Sequence, residues 1–365
     1  MSHFCRTVSV VAALCATALA AACGNDAAMA PAPPEPPPPP SPGPVVPLSL
    51  VTYDGSGQAV HPDVARTPAS WQSGIWQFVA TPYPDGNAFF ENPSLYQPGT
   101  AFEWLEPAGV INPIARPNGY GYLSDPDHLY NPDTKEHWLY YRKVSTHNDI
   151  LLVRSRDGVR WSVPSTVVSV PNHLAISPSV VRRGPGDWMM WTVNGGTQGC
   201  GGEHATVELR RSINGINWST PQPVVMQAST RSPWHLDVRW IPERQEFWAI
   251  FNGKQPFGCT TDALFIATSP DGVSWTMYPT PVLERGVIPA FADVVYRGSV
   301  WYDEPTDMVT FWYSGAALNG TSYMWRLAIQ SLPREALFAR VAQPWDRIHL
   351  RSDAVAVPLT NATAP

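Results

Sequence analysis

Lysine is nearly absent from this chain. Three lysines (Lys135, Lys143 and Lys254) stand beside 21 arginines in 365 residues, and only 15 % of residues are charged. The formal net charge is −6 and no basic cluster occurs, which excludes a nucleic-acid polyanion as partner. Long apolar runs are missing too. The longest, Val8 to Ala22, is 15 residues, short of the ~20 that span a bilayer. Cysteine is scarce at five, without CxxC or HExxH spacing, so no familiar metal motif is present. Helix-tolerant composition is lacking as well: 40 prolines exclude a mainly helical protein, because each costs ~3 kcal/mol inside a helix. What is abundant is apolar and aromatic, 44 % hydrophobic with 16 tryptophans, enough for a sizeable core.

The prolines fall into two groups. Eleven lie between Pro31 and Pro47, where the sequence reads as a stiff polyproline II spacer of roughly 50 Å at ~3.1 Å per residue. Ahead of it, Arg6 and the run Val8–Ala22 read as an export signal ending in Leu19-Ala20-Ala21-Ala22-Cys23-Gly24. This resembles a bacterial lipobox, implying a signal peptide over 1–22, lipidation of Cys23 and a tether over 23–47. The expected address is the outer membrane or cell surface, held through the N-terminal lipid only. Cleavage after Ala-x-Ala, giving a periplasmic or secreted protein, is the alternative.

The remainder repeats. SRDGVRW, SINGINW and SPDGVSW end in Trp161, Trp218 and Trp275, 57 residues apart, and TAFEW places Trp104 another 57 upstream. Asp-Gly or Asn-Gly between alternating apolar runs is a strong hairpin signal. The tryptophan after each turn is expected to pack between neighbouring units. A strand beginning with HPDV, DPDHLY, SPSVV, HLDVRW or RGSVWY opens each unit, followed by an aromatic second strand. Five units of four short antiparallel strands predict an all-β, five-bladed β-propeller over 48–352, with a tail over 353–365. Its ring is expected to close with strands from both termini.

In a propeller the first strand of each blade lines the axis, and alternate residues share a face. One ring therefore reads His61, Asp125, Ser177, His235 and Arg297. The next reads Asp63, Asp127, Ser179, Asp237 and Ser299. Ten polar residues at strand-interior positions are not core composition. Long segments expected to be loops above this funnel include 81–94, 143–149, 194–205, 252–263 and 314–322. Cys200 and Cys259 fall at matching places in two of them, and in an exported chain they are expected to form a disulfide.

The D-P-x or H-P-D strand starts and the S-x-D-G-x-x-W turns resemble the arabinanase, levansucrase and invertase superfamily of five-bladed glycosidases. The resemblance covers residues 50–335 and implies hydrolysis or transfer of a glycosyl group in the axial pocket. Asp125 matches the superfamily's D-P-x. In the first blade His61 takes the Asp position and the carboxylate moves to Asp63, and no Glu-Gly-Pro acid motif is present. The expected roles are Asp63 as base or nucleophile, Asp125 or Asp127 as orienting carboxylate, and Glu203 as acid with Glu91 in reserve. His61, Arg142, His235, Asp237, Arg297 and Trp234 are expected to bind substrate. No cofactor or metal is required, although a cation could sit in the channel. The expected protein is a monomeric glycoside hydrolase acting on oligo- or polysaccharide; the alternative is a non-catalytic glycan-binding or scaffolding propeller.

Overall fold

The computed structural model describes residues 43–67, 76–99, 102–117, 119–226, 231–259 and 261–345. The export signal, Cys23, the tether up to residue 42 and the C-terminal tail lie outside the described residues.

Alternating apolar positions bounded by turn residues make strands, and here they make five blades around an axis, the fifth and first joined in one sheet. Blade 1 runs Ala59–Arg66, Trp76–Pro82, Ser94–Pro98 and Glu103–Leu105 from axis to rim. Blade 2 is Tyr122–Asn131, Glu136–Val144, His147–Ser155 and Ser165–Pro171. Blade 3 is Ile176–Gly184, Asp187–Asn194, Thr206–Ser212 and Gln222–Val224. Blade 4 is Ser232–Ile241, Glu246–Lys254, Thr261–Ser269 and Thr276–Met277. Blade 5 takes Val294–Asp303, Met308–Asn319 and Ser322–Pro333 from the end of the chain, and Val46–Leu50 from its beginning. That N-terminal strand also pairs in parallel with the outer strand of blade 1. The fold is therefore the five-bladed propeller, closed by strands from both ends. The inner strands pack in a closed ring, each against the next.

The Asp-Gly and Asn-Gly turns are built alike. The Ser155 hydroxyl accepts the Gly158 N–H, and Asp157 Oδ1 accepts the amides of Val159 and Arg160. Ser212 with Asn214, and Ser269 with Asp271, repeat this. Gly158, Gly215 and Gly272 have φ of 65°, 72° and 75°, which glycine adopts without a steric penalty. The turns also join blades: Tyr140 donates to the Gly215 carbonyl at 2.7 Å and Trp191 to that of Gly272 at 2.9 Å. Trp161, Trp218 and Trp275 pack against clusters that combine residues of adjacent blades.

Two of the expected loops are hairpins instead. The strands of blade 2 run through Val144 and from His147, leaving a two-residue connection, and in blade 5 Asn319 pairs with Ser322 across Gly320. The first and third blades do carry irregular segments there. Cys200 and Cys259 are bonded, with Cα atoms 4.8 Å apart, and tie the segments of blades 3 and 4 together.

Candidate functional site

Each inner strand starts one to three residues before the expected position and carries a β-bulge. The register shifts between Val60 and Asp63, Ser124 and Asp127, Ile176 and Ser179, Pro233 and Leu236, and Val295 and Gly298. His61, Asp125 and Ser177 occupy the bulges with φ of 55°, 51° and 51°. Left-handed backbone at a non-glycine residue costs of order 1 kcal/mol or more and persists only where the surroundings enforce it. Bulges re-aim side chains. Here they bring residues of different blades together on the axis.

Asp125 is the centre of the first ring. It is fully buried. Its Oδ1 lies 3.0 Å from His235 Nδ1 and 3.3 Å from His61 Nε2, and its Oδ2 lies 3.2 Å from Arg142 Nε. The Ser124 hydroxyl donates to Oδ2 at 3.2 Å. Burial works against the Asp125 charge, but Arg142 and the two imidazoles outweigh it and hold the carboxyl well below the usual range. Burial keeps both imidazoles neutral despite Asp125. Each ring is fixed from its far side: His61 Nδ1 by Thr81 Oγ1 at 2.9 Å, His235 Nε2 by the Tyr296 hydroxyl at 2.7 Å.

Glu91 joins this group from the first-blade loop. A 3-10 turn over Ala88–Phe90 ends at Glu91, whose carbonyl accepts the Leu123 amide at 3.0 Å, two residues before Asp125. The Glu91 carboxyl is 6 % exposed. Burial, reinforced by the Asp125 charge and only partly offset by Arg142, raises its pKa well above that of an ordinary carboxylate.

The second ring does a different job. Asp63 Oδ2 accepts the His128 amide, Asp127 Oδ2 that of Val180, Ser179 Oγ that of Val238, and Asp237 Oδ2 that of Val300. Ser299 closes the circle by donating to Asp63 Oδ1. Each residue thus holds the inner strand of the next blade. Arg239, which the sequence reading did not single out, pairs with Asp63 and, at 3.1 Å, with Asp237. Burial still raises the Asp63 pKa to about 6 against the pull of Arg239, and burial with the neighbouring Asp63 charge raises that of Asp127 well above the usual carboxylate range. Asp63, the expected base or nucleophile, therefore has both oxygens engaged within the girdle, and Asp127 and Asp237 are bonded into it as well.

Glu203 does not join either ring. Its side chain is 62 % exposed and pairs with His204, the reverse of the burial that keeps an acid protonated. Trp234 is buried with the core of blades 3 and 4, and a Cβ on Gly195 would lie 2.8 Å from its ring. That is a packing position. Tyr296, Thr81 and Ser124 are site residues the sequence reading missed; only their adjacency to Arg297 or Asp125, or their place on a neighbouring strand, could have marked Tyr296 and Ser124.

Among the described residues, two clusters have the donor spacing of a metal site: His61, Asp125 and His235, and Asp63, Asp127 and Asp237, with ligand atoms within 4.8 Å of one another. In the second, Arg239 already supplies the positive charge. The first fits a divalent cation well. His61 Nε2, His235 Nδ1 and Asp125 Oδ1 are buried and lack a well-aligned hydrogen-bond partner. The opposite nitrogen of each imidazole is oriented by an oxygen, as second-shell partners orient metal-binding histidines.

Solved structures with this arrangement of strands exist. The N-acetylgalactosamine deacetylase of F. plautii, in complex with blood group B trisaccharide, superposes with a TM-score of 0.73 and 22 % identity, covering 82 % of this chain and 97 % of that one. A Penicillium chrysogenum α-L-arabinanase bound to arabinobiose gives 0.51 and 13 %, covering 81 % and 98 %. The chain has the fold of the five-bladed glycosidase superfamily. Its relatives there are carbohydrate-active enzymes. Among curated proteins, an A type blood N-acetyl-α-D-galactosamine deacetylase from Flavonifractor plautii is 28 % identical over 322 residues, which is 75 % of this chain and 40 % of that relative's length. No family model matches.

Proposed function

We propose that the protein hydrolyses the acetamido group of an N-acetylated amino sugar, with a divalent cation held by His61, Asp125 and His235. The observation that carries this reading is the convergence of two neutral, oriented imidazoles and one ionised carboxylate on a point where none has a well-aligned partner. The deacetylase relative supports the substrate class.

In the reaction, water adds to the amide carbonyl carbon, the C–N bond breaks, acetate departs and the nitrogen takes a proton. A divalent cation in this seat would act as a Lewis acid. Glu91 is the proton carrier: in its ionised form it accepts the proton of the attacking water, and the proton affinity that burial raises lets it hold that proton until it is returned to the amine. Arg142 keeps Asp125 ionised, and Thr81 and Tyr296 fix the imidazole orientations.

Glycoside hydrolysis is the second reading. The opposite shifts of Glu91 and Asp125 favour it, since such enzymes need one protonated and one ionised carboxyl. Against it, Asp125 Oδ2 is already engaged by Arg142 and Ser124. Incubation with aryl and oligosaccharide glycosides of N-acetylated amino sugars separates the two. The expected product is acetate, lost on chelation, restored by Zn²⁺ or Mn²⁺, and lowered about 10²-fold or more in Glu91→Gln. Glu203→Gln retains the full rate. New reducing ends without acetate would replace deacetylation by glycosidase action.

The N-terminal sequence supports placing this activity outside the cell, tethered through Cys23. Palmitate labelling that persists in Cys23→Ser would remove the tether from the proposal.

A further inference from the structure

Arg297 is the largest charged side chain enclosed in the axis. It is 0 % exposed, and Nε, Nη1 and Nη2 all lack a hydrogen-bond partner. Its backbone is fully engaged: the amide donates to Ser314 Oγ at 3.1 Å and the carbonyl accepts from the same hydroxyl at 2.8 Å. The strand is pinned while the guanidinium is not. The nearest counter-charge is Asp125 Oδ1, 3.8 Å from Nη1, too far for a hydrogen bond. That oxygen is also where His61 and His235 converge, and Arg142 already neutralises the other side of the same carboxylate. A buried guanidinium with no acceptor is costly, because its lost hydration is not replaced. Arg239, also on an inner strand, does not leave that cost unmet: it bonds Asp63, Asp237 and Ser299.

We propose that Arg297 is the anion-holding residue of the axial site, and that its guanidinium receives the carboxylate of acetate and, before it, the amide carbonyl oxygen of the substrate. A guanidinium presents paired donors matched to a carboxylate. As the water oxygen bonds to the carbonyl carbon, negative charge develops on the carbonyl oxygen; when the C–N bond breaks, that charge stays on acetate. Arg297 donates hydrogen bonds throughout and exchanges no proton. The choice of acetate rests on the deacetylase reading; the anion site itself does not.

Calorimetric titration of the full chain in EDTA with sodium acetate, and with acetamide and sodium chloride as controls, tests this without turnover. Acetate is expected to bind the wild type in preference to both controls, and roughly tenfold or more weakly to Arg297→Gln, with Arg297→Lys between. In turnover, Arg297→Gln is expected to lose about 10²–10³-fold in kcat. Acetate binding unchanged in Arg297→Gln, or no acetate binding by the wild type, overturns the proposal. Should Arg297→Gln not fold, equal binding of acetate and acetamide by the wild type overturns it. Arg297-dependent acetate binding without hydrolysis of any acetamido sugar would leave this site standing and remove the deacetylase reading. Hydrolysis without acetate binding would do the opposite.

Discussion

At the scale of single residues, identical side chains two positions apart divide the labour. Asp125 and Asp127 lie on one strand and are both buried, yet the first is surrounded by Arg142, His61 and His235 while the second is bonded to the Val180 amide. What separates them is which neighbours the bulge turns each one toward. Arg239 shows the same dependence on context, since its charge offsets three girdle carboxylates at once. Arg239→Met would remove the cation that pairs with Asp63 and Asp237. Breaking a buried ion pair from one side typically costs about 3–5 kcal/mol, so chemical denaturation should show a loss of that order. A loss below about 1 kcal/mol would mean that the girdle does not depend on its arginine.

At the scale of elements, the S-x-D/N-G-x-x-W turn carries both the blade's third-to-fourth strand connection and a contact to the neighbouring blade. Backbone amides bonded to Asp157 and Asp271 lower each carboxyl to about 2. A folded-state pKa below the unfolded value of ~3.9 gives stability that is present above pH ~4 and is lost as pH falls through about 2. Blade 3 uses Asn214 in the same geometry without a titrating group. Asp157→Asn and Asp271→Asn should therefore keep the turn while removing its acid sensitivity. Thermal midpoints of wild type and double variant are expected to differ most near neutral pH and to converge below pH ~2. A constant difference across that range would refute the assignment. The inner strands behave differently as elements. Period-two reading selects the right faces, but the extra residue of each bulge is invisible to it, because a bulge is set by pairing with the second strand.

At the scale of the whole molecule, the ring holds because its first strand is completed by its last blade. Val46–Leu50 pairs with Ser322–Pro333 on one side and Glu103–Leu105 on the other, and Leu48 and Leu50 are buried in the cluster between blades 5 and 1. Leu48→Ala should lose at least about 2 kcal/mol and expose the N-terminal strand to proteolysis before the other blades unfold. Unfolding of all blades together, with no early cut, would place the closure elsewhere. Five blades, their 57-residue period, the inward polar rings and the Cys200–Cys259 pairing were legible because each is written in local pattern: turn chemistry, alternation and matching loop positions repeat with the chain. The placement of Glu203 and Asp63 was not legible, for the opposite reason. Burial, and the partner that uses up a carboxylate's oxygens, come from other blades. His128 lies 65 residues from Asp63 and Arg239 lies 176 away. Sequence by itself determined which residues could reach the axis. Only the tertiary structure decided which of them bind one another as scaffold, and which are left without a well-aligned partner, because that depends on desolvation and pairing among strands distant in the chain.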